Sequence, residues 1–278
     1  MEDIKDDKLT DNTGKSNTDQ DLKILPLVED ETAIKNALKK EIHPNLPDIK
    51  RGALLCVVAS IRSGKTTLLN NLFAREAFFK DCFDKSFFIS PTIYSDKSMR
   101  FIREMYSNTC YDQYDDDIIY KICKYQESQP LEDRGSYSLV ADDCIDIAGR
   151  KNSALVFLAS RFRHYSQKAS MVVFSTQKFR SLNPILRVNT TDFLISDMKN
   201  TKERMAIIEE FADAYDGEEN FTALWRQATQ EPYSFLYLKL DKTPPEAYRN
   251  FEEKIYPAGP PNEEEHEHDP DEILEAED

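Results

Sequence analysis

Ala53-Leu54-Leu55-Cys56-Val57-Val58 runs directly into Ala59-Ser60-Ile61-Arg62-Ser63-Gly64-Lys65-Thr66-Thr67, and then into a segment carrying Leu68, Leu69, Leu72 and Phe73. The first six residues are uniformly apolar, as in a strand buried on both faces. The last four recur at helical spacing and predict a helix over 65–79. Between them lies a phosphate-binding pattern, GxxxxGK[ST], complete except for its first glycine. Such a loop aims backbone N–H groups at phosphate oxygens, and the following helix adds the positive end of its dipole. Residues 59–67 are therefore expected to cradle ATP, with Lys65 on the β- and γ-phosphates and the Thr66 hydroxyl on Mg²⁺. Ala59 stands where the first glycine is usual. Its Cβ narrows the allowed backbone angles, so the start of the loop is expected to deviate slightly. A chance Ser-Gly-Lys-Thr would not be framed by a buried strand and an amphipathic helix.

Outward from this point, strand-like and helix-like segments alternate. Further strands are expected at Phe87-Phe88-Ile89, Tyr137-Ser138-Leu139-Val140-Ala141, Met171-Val172-Val173-Phe174, Phe193-Leu194-Ile195 and Phe235-Leu236-Tyr237-Leu238. Helices are expected near 32–41, 97–107, 115–126, 152–163 and 218–228, with Trp225 of the last in the core. Alternation of this kind builds a mostly parallel sheet with helices on both faces. The predicted fold is α/β, a P-loop, RecA-like three-layer sandwich. Ligands of such sheets bind at the C-terminal strand ends.

Asp142-Asp143 directly follows the strand ending at Ala141. The first acid is placed to hold Mg²⁺. The second can orient and deprotonate an attacking water, which a plain G protein or small-molecule kinase does not need. The strand around 171–174 ends in Ser175-Thr176-Gln177. ATPases with an acidic pair insert an extra strand between the loop strand and the acid strand, and its terminal polar residue contacts the γ-phosphate or the water. Gln177 suits that role. Arg163 and Arg187, outside these motifs, are candidates for an arginine finger reaching a neighbouring subunit's nucleotide; the plain alternative for each is a surface arginine. Arg62, inside the loop, is a weaker candidate.

The formal net charge of -15 is not spread evenly. Residues 262–278 hold ten acids and no Lys or Arg, and 1–21 hold seven acids against three lysines. The body, 22–261, is left one charge short of neutral, so overall acidity does not exclude a nucleic-acid partner. Within it, 150–187 carries eight Lys or Arg and no acid, suited to the phosphates of ATP, of DNA, or of both. Both ends have the composition of disordered segments, which places the ATPase domain at 22–260. The tail's Glu265-His266-Glu267-His268-Asp269 has metal-like composition but reads as solvated chain. Five cysteines without a CxxC spacing suggest reduced thiols and an intracellular setting. The first residues lack the apolar stretch of a signal peptide, and no run approaches a membrane span.

With these pieces assembled, the sequence resembles the FtsK–HerA group of ring ATPases, in particular the poxvirus-type genome-packaging ATPases of large DNA viruses and virophages. The residues that carry the resemblance are Ser63-Gly64-Lys65-Thr66, Phe87-Phe88-Ile89-Ser90-Pro91-Thr92, Val140-Ala141-Asp142-Asp143, Arg163-His164, Ser175-Thr176-Gln177 and Ile185-Leu186-Arg187-Val188-Asn189. It spans about residues 50–240. It implies a homo-oligomeric ring that threads double-stranded DNA into a preformed capsid, with capsid proteins as further partners and no membrane. It also implies a location in the host cytoplasm, the viral factory or the virion. Ala59 departs from the pattern, as does Asp143, where many members of the group have Glu. The competing readings are a P-loop nucleotide kinase and a non-catalytic, ATP-gated scaffold of capsid assembly. A GTPase is disfavoured because Thr176-Gln177-Lys178-Phe179 is not an Asn-Lys-x-Asp guanine reader.

Overall fold

The structure, a computed structural model, describes residues 40–257. The expectations for the two ends, including the metal-like run in the tail, lie outside these residues, as does most of the helix expected near 32–41. One nine-stranded sheet organises the described chain. Its strands are β1 (Ala53–Val58), β2 (Lys85–Ile89), β3 (Cys110–Tyr111), β4 (Tyr137–Ala141), β5 (Ser170–Thr176), β6 (Asp192–Ser196), β7 (Phe235–Lys239), β8 (Glu246–Arg249) and β9 (Glu253–Ile255). They lie in the order β3-β2-β4-β5-β1-β6-β7-β8-β9. The pairings from β3 across to β6 are parallel, and the last three are antiparallel. The sequence-based expectation of a mostly parallel sheet holds, with an antiparallel flank that it did not contain.

Helices cover both faces because the parallel strands are apolar on both. Leu54, Cys56 and Val58 of β1 belong to one buried cluster, while Ala53, Leu55 and Val57 belong to the other. β5 divides the same way, with Val172 and Phe174 opposite Met171 and Val173. The face of Leu55 is covered by α1 (Lys65–Ala74), through Leu69, Leu72 and Phe73, and by α2 (Arg100–Met105), through Ile102. The face of Leu54 is covered by α3 (Asp116–Glu127), α5 (Ala154–Ala159), α7 (Thr201–Phe211) and α8 (Glu218–Ala228), the last burying Trp225. Two short helices, α4 (Ile145–Ala148) and α6 (Pro184–Asn189), follow β4 and β5. This is the three-layer sandwich the sequence predicts.

Two helices end earlier than their periodicity suggests. α1 stops at Ala74 rather than Phe79, and Arg75 turns extended at φ -105°, ψ 141°. A continuous helix would set Phe73 and Phe79 about 120° apart around its axis. The break lets both be buried, with ring centroids 6.5 Å apart. Likewise α5 starts at the cap of Ser153, whose hydroxyl accepts from Val156 N, and stops at Ala159. A separate turn, Phe162–Tyr165, then buries both of its aromatic ends.

Candidate active site

The register places the motifs side by side. β5 lies between β1 and β4, with Val58 opposite Thr176 and Ala141 opposite Phe174. The three strands thus end at one level, and the residues that follow them meet there. Ala59 N–H donates to Thr176 O at 3.0 Å, tying the start of the loop to β5. Ala59 is buried and is not among the residues with a positive φ, so its backbone does not demand a glycine. The left-handed positions are instead Arg62 (φ 64°) and Gly64 (φ 89°). Gly64 is the N-cap of α1 and provides no side-chain cap, so the first N–H groups of the helix are left to an anion. The loop is braced by Ser63 Oγ donating to Ser60 O and Ser60 Oγ donating to Asp197 O.

Lys65 reaches across to the acid pair. Its Nζ lies 3.0 Å from Asp142 Oδ1 and in direct ion contact with Asp143 Oδ1. The Asp142 side chain is only 3% exposed, against 35% for Asp143. Burying a carboxylate this deeply requires partners. Asp142 has them: Ser175 Oγ donates to Oδ1 at 2.7 Å and Ser90 Oγ to Oδ2 at 3.2 Å. Ser175 Oγ also accepts from Asp143 N–H at 3.0 Å and from Lys65 at 3.4 Å. Asp143 itself is held at φ 51°, a conformation costly for a non-glycine residue and concentrated at functional sites. One acid is therefore fixed and buried, and the other stands at the mouth of the site.

The sequence did not single out Ser90, Ser175 or Asp96 as site residues. Ser90 and Ser175 were visible only as polar strand ends. Asp96 carried no signal, yet its carboxyl is held below the usual range by hydrogen bonds from Ser98 and, further, from the Thr66 hydroxyl. Thr66 and Asp142, the two residues expected to hold Mg²⁺, both offer oxygen donors, which fit that ion. No group of three or more His, Cys, Asp or Glu that could hold a metal ion forms among the described residues.

The remaining candidates are placed as follows. Thr67 lines a cleft beside the loop. Gln177 is exposed one residue beyond β5, at the same end as the acids, while Ser175 makes the contacts to them. Arg163 is at the other end of β1: its Cγ would be 2.5 Å from a Cβ built on Gly52, the residue before the strand. It does not meet Lys65 within one chain. Arg187 has an acid partner that its sequence neighbours do not reveal, pairing with Glu210 Oε2 at 2.9 Å. The acid-free stretch 150–187 is divided by the fold. Arg150, Lys151, Lys178 and Arg180 lie in the loops that follow β4 and β5, at the nucleotide end, whereas Arg163 and Lys168 precede β5 at the opposite end. All five cysteines are buried and unpaired. No helix among the described residues is long and apolar enough to cross a membrane.

A phosphate loop on β1, an acid pair on β4 and an intervening β5 give the chain a P-loop NTPase fold. Its structural neighbours include the genome packaging NTPase B204 of Sulfolobus turreted icosahedral virus 2 in complex with sulfate. The two share 15% identity over 72% of this chain and 97% of that one, with a TM-score of 0.47. ATPases 2 and 3 of Thermomonospora curvata EccC, in complex with a signal sequence peptide, match at 13% identity and a TM-score of 0.39. That match covers 54% of this chain and 31% of EccC, so this chain spans about a third of its length. The N-terminal domain of zonular occludens toxin from Neisseria meningitidis matches at 15% identity over 52% of this chain and 76% of that one, with a TM-score of 0.32. No family model and no curated protein matches the sequence.

Proposed function

We propose that the chain is an ATP-hydrolysing motor that moves double-stranded DNA into a viral capsid as a homo-oligomeric ring. The observation that carries the hydrolytic part is the convergence of Lys65, Asp142, Asp143 and Ser175 through the insertion of β5. In this reading, residues 59–67 bind the phosphates, and Lys65 exchanges the acid pair for the β- and γ-oxygens. Thr66 and Asp142 hold Mg²⁺, which when bound neutralises charge on the phosphates. Asp143, at the exposed mouth of the site, takes the proton of the attacking water, and Gln177, at the same end of the sheet, contacts the γ-phosphate or that water. An acid in that position favours water over a second nucleotide as acceptor, which is the point against a kinase.

The DNA part is supported by the exposed cations Arg150, Lys151, Lys178 and Arg180 at the nucleotide end of the sheet. Of these, Lys178 has only a long, exposed ion pair with Asp146, at 3.8 Å. Such a pair is worth little and leaves the cation available to phosphate. The ring and the capsid destination come from the resemblance in the motifs. The deciding experiment measures ATP turnover by the purified chain with and without double-stranded DNA. Stimulated release of phosphate is expected. Transfer of the γ-phosphate to a nucleotide instead of water would establish the kinase, and binding without turnover the scaffold.

A further inference from the structure

The same loop borders a cleft of 640 Å³, in the size range of small-ligand sites. Gly64, Lys65 and Thr67 line it together with the aromatic side chains of Phe78, Tyr233 and Phe251. Phe251 is 9% exposed, while Tyr233 is 74% exposed although its ring packs on the loop. A Cβ built on Gly64 would lie 3.2 Å from Tyr233 Cδ1. Tyr233 also has a φ of 68°, in the left-handed region that an aromatic residue seldom occupies. An open aromatic face is thus held, at a conformational cost, next to the site read above as the phosphate cradle.

We propose that this cleft is the nucleobase subsite and that Tyr233 is the face on which the base stacks. The proposal rests on the reading of residues 59–67 as a nucleotide cradle. It extends to selectivity, because the amide oxygens lining the cleft already accept hydrogen bonds within the protein. Asn71 donates to Thr67 O at 2.7 Å and accepts from Arg75 at 3.1 Å, and Asn250 Oδ1 accepts from Phe235 N–H at 3.2 Å. Stacking is indifferent to base identity, since every base has a π-face. The site therefore takes nucleoside triphosphates with little preference for the base, ATP and GTP included.

The test is calorimetric titration of the full chain, as wild type, Tyr233→Ala and Tyr233→Phe, with magnesium and non-hydrolysable ATP or GTP analogues, and with magnesium tripolyphosphate as a ligand without a base. Tyr233→Ala is expected to weaken both nucleotides by about 5- to 150-fold, the value of one base–aromatic stack, while tripolyphosphate affinity and the Tyr233→Phe variant stay within about twofold of wild type. An equal loss for tripolyphosphate would make Tyr233 a support of the loop and overturn the proposal. Unchanged nucleotide affinity would also overturn it and leave the exposed ring to another partner. Wild type that binds tripolyphosphate as tightly as ATP refutes the base subsite alone. Wild type that binds neither refutes the nucleotide cradle as well.

Discussion

Gly64 answers two demands at once: a left-handed backbone at the head of α1, and a side free of Cβ where Tyr233 packs. Lys65 and Asp143 divide the remaining labour, and their replacements should separate it. Lys65→Ala is expected to lose ATP binding. Asp143→Asn is expected to bind ATP and to turn over about 10²–10⁴-fold more slowly, the usual cost of losing a general base. Near-normal turnover by Asp143→Asn would remove it from that role. Ser175 is the less obvious residue, because its single hydroxyl donates to Asp142 and accepts from the Asp143 N–H. Ser175→Ala should lower kcat by about 10–100-fold, as loss of a positioning partner does. Ser175→Thr, which retains the hydroxyl, should recover part of that rate. Equal loss in both variants, with unchanged folding, would show that the hydroxyl is not what matters.

At the scale of elements, β6 and β7 enclose a carboxylate that reports on pH. Asp192 is 1% exposed, and burial raises its carboxyl from the ordinary 3.8 to about 6, against the lowering effect of hydrogen bonds from Thr191 and Tyr237. The folded chain therefore keeps a proton there that the unfolded chain releases near pH 4. The stabilisation from that proton is full below pH 4 and is lost as pH rises through 6. Asp192→Asn cannot lose it. Relative to wild type, the variant should gain up to about 3 kcal/mol in unfolding free energy between pH 4 and pH 7, at about 1.4 kcal/mol per pKa unit. Urea denaturation at the two pH values measures this, and a constant gap would mean the carboxyl titrates normally. The loop after β5 has a separate expectation. Charge reversal at Lys178 and Arg180 together should weaken DNA binding and flatten its dependence on log salt by roughly one contact per residue, leaving ATP affinity intact. An unaltered salt slope would remove both residues from the DNA surface.

For the whole molecule, the arginines decide between a ring and a lone subunit. Arg163 lies at the far end of β1 from the loop, and Arg187 is held by Glu210 over the ring of Phe179. A finger from Arg163 would have to come from a neighbouring copy, and one from Arg187 would first have to leave Glu210; a head-to-tail contact that supplied either would close into a ring. Arg163→Ala should bind ATP normally, hydrolyse it poorly, and regain activity when mixed with Lys65→Ala, whose site is dead but whose arginines are intact. If no mixing ratio restores turnover, Arg187→Ala takes its place in the same experiment. Failure of both, with a monomer by light scattering in the presence of ATP and DNA, would refute the ring. Removing residues 262–278 should leave the melting temperature unchanged, because a stretch with ten acids cannot bury a core.

Local sequence was enough to place the strands that are apolar throughout, the phosphate loop and the acid pair. Each is local: a continuous apolar run can only be a buried segment, and Gly64-Lys65-Thr66 owes its meaning to the strand before it and the helix after it. Short or polar elements were not legible. β3 has two residues, while β8 and β9 are largely polar and form only because β7 offers β8 an edge to pair with and β8 then offers one to β9. α7 was missed although Asn200 caps it, accepting from the N–H groups of Lys202 and Glu203. Which partners the functional residues take was decided by the tertiary structure alone. Ser175 meets Asp142 across 33 positions and Arg187 meets Glu210 across 23, because β5 enters between β1 and β4 and because α7 packs beside β6. Strand order fixes those neighbours, and it follows from how the whole set of apolar faces is buried at once, which no single stretch of sequence specifies.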